Sequence, residues 1–141
     1  MSDTYSENLS YNGRLIVTRK EWHIDYYFPG PDRRYNGTFY SIKGNKIDVY
    51  IRAWENNFKR FEELKKLIGE NAEFSTRGET GMTINIGGYH HGVCLVSYHL
   101  CICSTDQLEK LIAEYRTAKT KANDVRDSLK TSGLFKSRIF S

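Results

Sequence analysis

Val93-Cys94-Leu95-Val96-Ser97-Tyr98-His99-Leu100-Cys101-Ile102-Cys103 is the stretch on which the reading of the fold turns. It is the longest run of strand character in the chain, and it contains no Asp, Glu, Lys or Arg. Alternate side chains of a strand point to opposite sides, so Cys94, Val96, Tyr98, Leu100 and Ile102 share one face. Val93, Leu95, Ser97, His99, Cys101 and Cys103 share the other. With neither face charged, the pattern predicts one inner strand covered on both sides.

Downstream, Ser104 or Thr105 caps a helix, and Asp106 sits in its first turn where a negative charge suits the dipole. Leu108, Leu111, Tyr115, Ala118, Ala122, Val125 and Leu129 then recur at alternating spacings of three and four. That rhythm predicts a narrow seam for another helix, on a helix of about 25 residues and nearly 40 Å. It outruns the first helix, which points to a homodimer interface made by Leu111, Tyr115, Ala118, Ala122, Val125 and Leu129.

Upstream stands Gly87-Gly88-Tyr89-His90-His91-Gly92, the one segment with the look of a site. Three glycines let backbone approach a ligand, and two imidazoles sit at the tip. No Gly-Lys-Ser/Thr follows, so it is no phosphate loop. The expected ligand-binding residues are Gly87, Gly88, Tyr89, His90 and His91, joined by Arg116 and Lys119 from the basic second helix.

Further upstream, Met82–Ile86 and Ala72–Thr76 read as short strands. The first helix runs from about Ala53 to Ile68, with Trp54, Phe58, Phe61, Leu64, Leu67 and Ile68 on one stripe and Gly69 as its stop. Thr38–Lys43 and Lys46–Arg52 read as a hairpin across Gly44-Asn45. Gly44 to Glu70 resembles, in cadence, a strand-then-helix piece of a domain attached to some restriction-type nucleases; it carries no functional motif, so the resemblance implies no residue role. Arg14–Lys20 and Trp22–Phe28 form an earlier pair of strands, closed by Pro29-Gly30-Pro31-Asp32, with Arg33 and Arg34 in the loop that follows. Arg33, Arg34 and Tyr35, with Arg19, Lys20 and Tyr27, are candidates for single-stranded nucleic acid, although nearby carboxylates offset their charge.

The fold expected is α+β: a mostly antiparallel sheet of six to seven strands with two helices on one face, in the order β-β-β-β-α-β-β-β-α. Residues 1–12 form a flexible lead-in, 13–130 one domain and 131–141 a flexible basic tail. A strand-strand-helix cadence occurs at 38–68 and again at 82–129, which allows for an internal duplication.

With 141 residues, the chain is long enough to bury a core without staples. The formal charge is +4, but residues 115–141 hold seven cations against Asp124 and Asp127. A basic end of this kind suits an acidic protein or a polyanion. Three clustered cysteines read as reduced thiols in the cytoplasm. No run is long and apolar enough to span a membrane. No cofactor or metal is expected, because His99, Cys101 and Cys103 on one straight strand lie too far apart for one zinc.

The leading functional expectation is a small non-catalytic adaptor or inhibitor. A nucleic-acid or nucleotide binder comes second, and a hydrolase or transferase using His90, His91 and Cys94 third.

Overall fold

In the computed structural model the described residues are 3–28, 37–69, 71–96 and 98–140, residues 132–140 by backbone alone. The turn expected at Pro29–Asp32 and the loop at Arg33, Arg34 and Tyr35 lie outside them. Among the described residues the architecture is α+β, with eight strands in two antiparallel four-stranded sheets and two long helices. Four strands followed by a helix occur twice in the element order. The single sheet of six to seven strands is therefore corrected to two. The chain divides into two compact units, Met1–Ile47 with Glu114–Ser141, and Asp48–Ala113.

The first unit contains β1 (Tyr5–Asn8), β2 (Gly13–Val17), β3 (Trp22–Tyr27) and β4 (Thr38–Lys43), paired in that order. Period-two alternation does the local work. Leu15, Val17, Trp22, Ile24, Tyr26 and Ile42 are buried, whereas Arg14, Lys43 and Ser41 on intervening positions are exposed. Gly13 pairs with Tyr26, and a methyl group at Gly13 would lie 2.9 Å from the tyrosine ring. Only glycine leaves that ring its room.

The helix α2 (Thr105–Phe140) supplies this unit with residues from Glu114 onward. Tyr115, Ala118 and Ala122 are buried at 3% exposure or less within the single chain, and the Tyr115 and Tyr26 hydroxyls are 2.8 Å apart. Burial, with the neighbouring Tyr115 next in weight, pushes the Tyr26 phenol well above its ordinary range.

Within the 1–12 lead-in, Tyr5–Asn8 pair antiparallel with Arg14–Val17. Their inward side is polar: Glu7 accepts from Lys121 at 2.9 Å, and the same ammonium stands 5.7 Å from the Tyr5 ring centre. Hydrogen bonds to Glu7 and then Tyr5 raise the Lys121 ammonium above its usual value. A strand anchored by an ion pair has no apolar period to betray it.

The second unit contains most of α1 (Ile47–Ile68) and β5 (Phe74–Arg77), β6 (Thr83–Ile86), β7 (Gly92–Leu95) and β8 (Leu100–Ile102). The helix begins six residues earlier than its sequence pattern suggested, so the second arm of the expected hairpin at 46–52 is helical. The strand-then-helix cadence of 44–70 goes with it. Ile51, Trp54, Phe58 and Phe61 are buried at spacings of three and four, whereas Val49 is 47% exposed. A helical stripe extended backward thus outcompetes the alternation of Ile47, Val49 and Ile51. The stripe also ends sooner, for Leu67 is 81% exposed.

Asn57 sits buried on the same helix. Its Oδ1 accepts the Glu79 N–H at 2.8 Å, and its Nδ2 donates to the Glu79 carbonyl at 3.1 Å. These bonds pin the connection between β5 and β6.

The largest correction concerns 93–103. It is not one strand but the two arms β7 and β8, antiparallel, with Val93, Cys94 and Leu95 opposite Ile102, Cys101 and Leu100. Val96 adopts φ 51°, and the His99 N–H donates to the Val96 carbonyl at 3.3 Å, closing the turn. Val93, Leu95, Leu100 and Ile102 face the core together with Ile84 and Ile86. Cys94 and Cys101 stand directly opposite each other and are joined by a disulfide. The expectation of three reduced thiols fails for these two; Cys103 is free and exposed.

At the start of α2, Ser104 Oγ accepts the Gln107 N–H, and Gln107 Oε1 accepts the Cys103 N–H. This reciprocal cap identifies Ser104 as the N-cap. Among the described residues no helix is long and apolar enough to cross a membrane.

Candidate functional site

The glycine-rich loop leaves β6 through Gly87 and Gly88, both at positive φ (77° and 75°), a conformation that side chains resist. The Gly87 N–H donates to His91 Nδ1 at 2.9 Å, and the His91 ring meets Phe61 edge-on at 4.8 Å. In its neutral form His91 therefore carries its proton on Nε2. His90 takes the opposite course. It is exposed, and its ring stacks on Tyr98 with centroids 4.0 Å apart and planes 13° from parallel. The neighbouring imidazoles thus do separate work: one fastens the loop, the other builds a wall.

Beside the loop lies an open groove of about 420 Å³. His90 and Tyr98 form one side, while Phe74 and Tyr89 bring further ring surface. Ser75 Oγ donates to Asn85 Oδ1 at 2.7 Å, and Asn85 is buried. Cys94 lies on the same face as Asn85, its Sγ 3.6 Å from Asn85 Nδ2. Glu73 is the only carboxylate of the lining among the described residues.

The residues expected to bind ligand do not all meet. Gly87, Gly88, Tyr89 and His90 line the groove, whereas His91 faces Phe61. Arg116 and Lys119 belong to the other unit. Phe74, Ser75 and Asn85 were missed because short strands with mixed faces carry no motif. Of the seam expected at an interface, Leu111, Tyr115, Ala118 and Ala122 are buried within the chain, and Val125 and Leu129 are half-buried.

Two chemistries fall away on geometry. Cys94 is bonded to Cys101 and has no thiol to act as a nucleophile beside His90 or His91. Asp25 gathers His23 Nε2 at 3.3 Å and the Ser41 hydroxyl around one carboxylate. Serine and histidine here bond to the same acid rather than to each other, so the serine–histidine–acid relay of a triad is not formed. Among the described residues no group of three or more His, Cys, Asp or Glu is placed to hold a metal ion. No protein-family model, curated protein or solved structure matches the chain.

Proposed function

We propose that this chain is a small non-catalytic binding protein, of adaptor or inhibitor type, that docks a protein partner at the groove beside the glycine-rich loop. The observation that carries the reading is the concentration of exposed ring surface there. Phe74 is 42% exposed, Tyr98 56% and Tyr89 fully exposed, and all three line the one groove. Tyrosines presented in this way anchor protein interfaces, because they bring large contact area at small entropic cost.

The occupant is an extended segment of the partner. β5 is the terminal strand of its sheet, and among the described residues it pairs on one side only, with β6. A strand laid along it gains backbone hydrogen bonds and sets every second side chain on the face of Ser75 and Asn85. The partner segment then carries apolar or aromatic residues at alternate positions. The Cys94–Cys101 bridge favours an oxidising compartment over the cytoplasm expected from the cysteine count.

Panning the intact chain against a displayed library of random peptides tests this. Enriched sequences should alternate apolar with polar residues, and Tyr89→Ala or Tyr98→Ala should each weaken them by about tenfold or more. Binders without alternation, or binders indifferent to both substitutions, would sink the proposal.

A further inference from the structure

A second concavity, in the first unit, has a different chemistry. It is a pocket of about 500 Å³ bounded by the β2–β3 turn, the end of β4 and one face of α2. Lys20, Lys43, Lys119 and Arg126 line it, and among the described residues Glu21 is the only carboxylate of the lining. Lys119, Asn123 and Arg126 follow each other at i, i+4 and i+7, so a single helix face presents two cations and an amide.

The pocket is built rather than incidental. The Trp22 indole, buried to 7% exposure, lies against the Gly44 backbone so closely that a methyl there would come within 2.4–2.6 Å of three ring atoms. Glycine at this position is what lets the chain pass over the ring directly after Lys43. Arg126 is held in place by a 3.1 Å bond from its guanidinium to the Lys20 carbonyl. Its Nε is buried and finds no hydrogen-bond partner among the described residues. A buried donor left without an acceptor costs stability unless something supplies one.

We infer that this pocket binds a small phosphorylated ligand through its phosphate or diphosphate group. Phosphate oxygens are strong acceptors for Arg and Lys, and Asn123 adds a neutral donor. A concave site next to a low-dielectric ring focuses the field of its cations more than a flat basic surface does. This shape favours a compact anion over an extended nucleic-acid backbone. Arg116, named with Lys119 from the sequence, is not in the lining, whereas Lys20 and Lys43 are. The site shares no residue with the groove of the other unit, so either can fail alone.

Calorimetric titration of the full chain with inorganic pyrophosphate tests the inference. Saturable binding to one site is expected, weakening as salt rises from about 0.05 M to about 0.3 M. Lys43→Gln and Arg126→Gln should each lower affinity about tenfold or more, while Lys66→Gln on α1 leaves it unchanged. Lys20→Gln and Lys43→Gln, both exposed, carry the test if Arg126→Gln lowers the unfolding midpoint. No saturable heat, or an equal loss in Lys66→Gln, overturns the inference. So does a single-stranded oligonucleotide that binds and is not displaced by pyrophosphate.

Discussion

Tyr26 concentrates the physics of the first unit in one side chain. Its phenol is buried beside Tyr115 and held well above its ordinary range, chiefly by burial. In the unfolded chain it loses its proton near about pH 10, whereas in the folded chain it keeps it. Above that pH the unfolded state binds fewer protons, so stability falls as pH rises. Lys121 works in the same direction, because its raised value means that the folded chain holds the proton longer. Urea midpoints should therefore drop between about pH 9 and about pH 11, and less steeply in Tyr26→Phe. At neutral pH that variant should lose about 1 kcal/mol with the hydrogen bond. The alternation that buries Tyr26 was plain from Trp22, Ile24 and Tyr26. Its hydroxyl partner, 89 residues distant, left no local trace. Glu7 was hidden for a related reason, since a carboxylate facing inward toward Lys121 reads as a solvated residue until its cation is placed.

Secondary structure was legible where period and punctuation agreed. Thr18 closes the β2–β3 hairpin by accepting the Glu21 N–H on its hydroxyl, between the two strands expected from the sequence. Gly69, at φ 84°, ends α1 where expected. Two elements misled. Residues 47–51 satisfy both a strand and a helix period, and burial separates them. In a strand Ile47, Val49 and Ile51 share a face and would respond alike to truncation. In the helix Ile51→Ala should cost roughly 2–4 kcal/mol, and Val49→Ala less than about 0.5 kcal/mol, in urea unfolding. Similar losses at the two positions would contradict the helix. The 93–103 hairpin concealed itself otherwise. Its turn contains no glycine, proline or asparagine, and Val96 takes a positive φ that a branched residue resists. The Cys94–Cys101 pairing becomes visible only once the reversal is known, because the two lie equally far from its centre.

The fold class, both helices and five of the eight described strands could be read from the sequence as separate elements, with β7 and β8 merged into one, but not the division of the chain. The expected order of four strands before the first helix had the right count with the wrong members: β1 was omitted, and 46–52 stood in for it. The glycine-rich groove was flagged by composition, whereas the basic pocket was not, since its residues are scattered from 20 to 126. Burial of the α2 seam also makes a molecular prediction. Ala122 is fully buried in the lone chain, so Ala122→Leu should overpack the first unit and cost about 1–3 kcal/mol. Its unfolding midpoint should not change with protein concentration; a concentration-dependent midpoint would restore the seam to an interface.

The first sheet and the helix segment grouped with it come from opposite ends of the chain, with residues 48–113 between them. During synthesis, at roughly 5–20 residues per second, β1–β4 leave the ribosome several seconds ahead of Tyr115 and Ala122. For that interval the Tyr26 hydroxyl has no Tyr115 to pair with. A chain interrupted before residue 114 would lack that partner permanently, and the cell's holdases and proteases would meet its first sheet as a client.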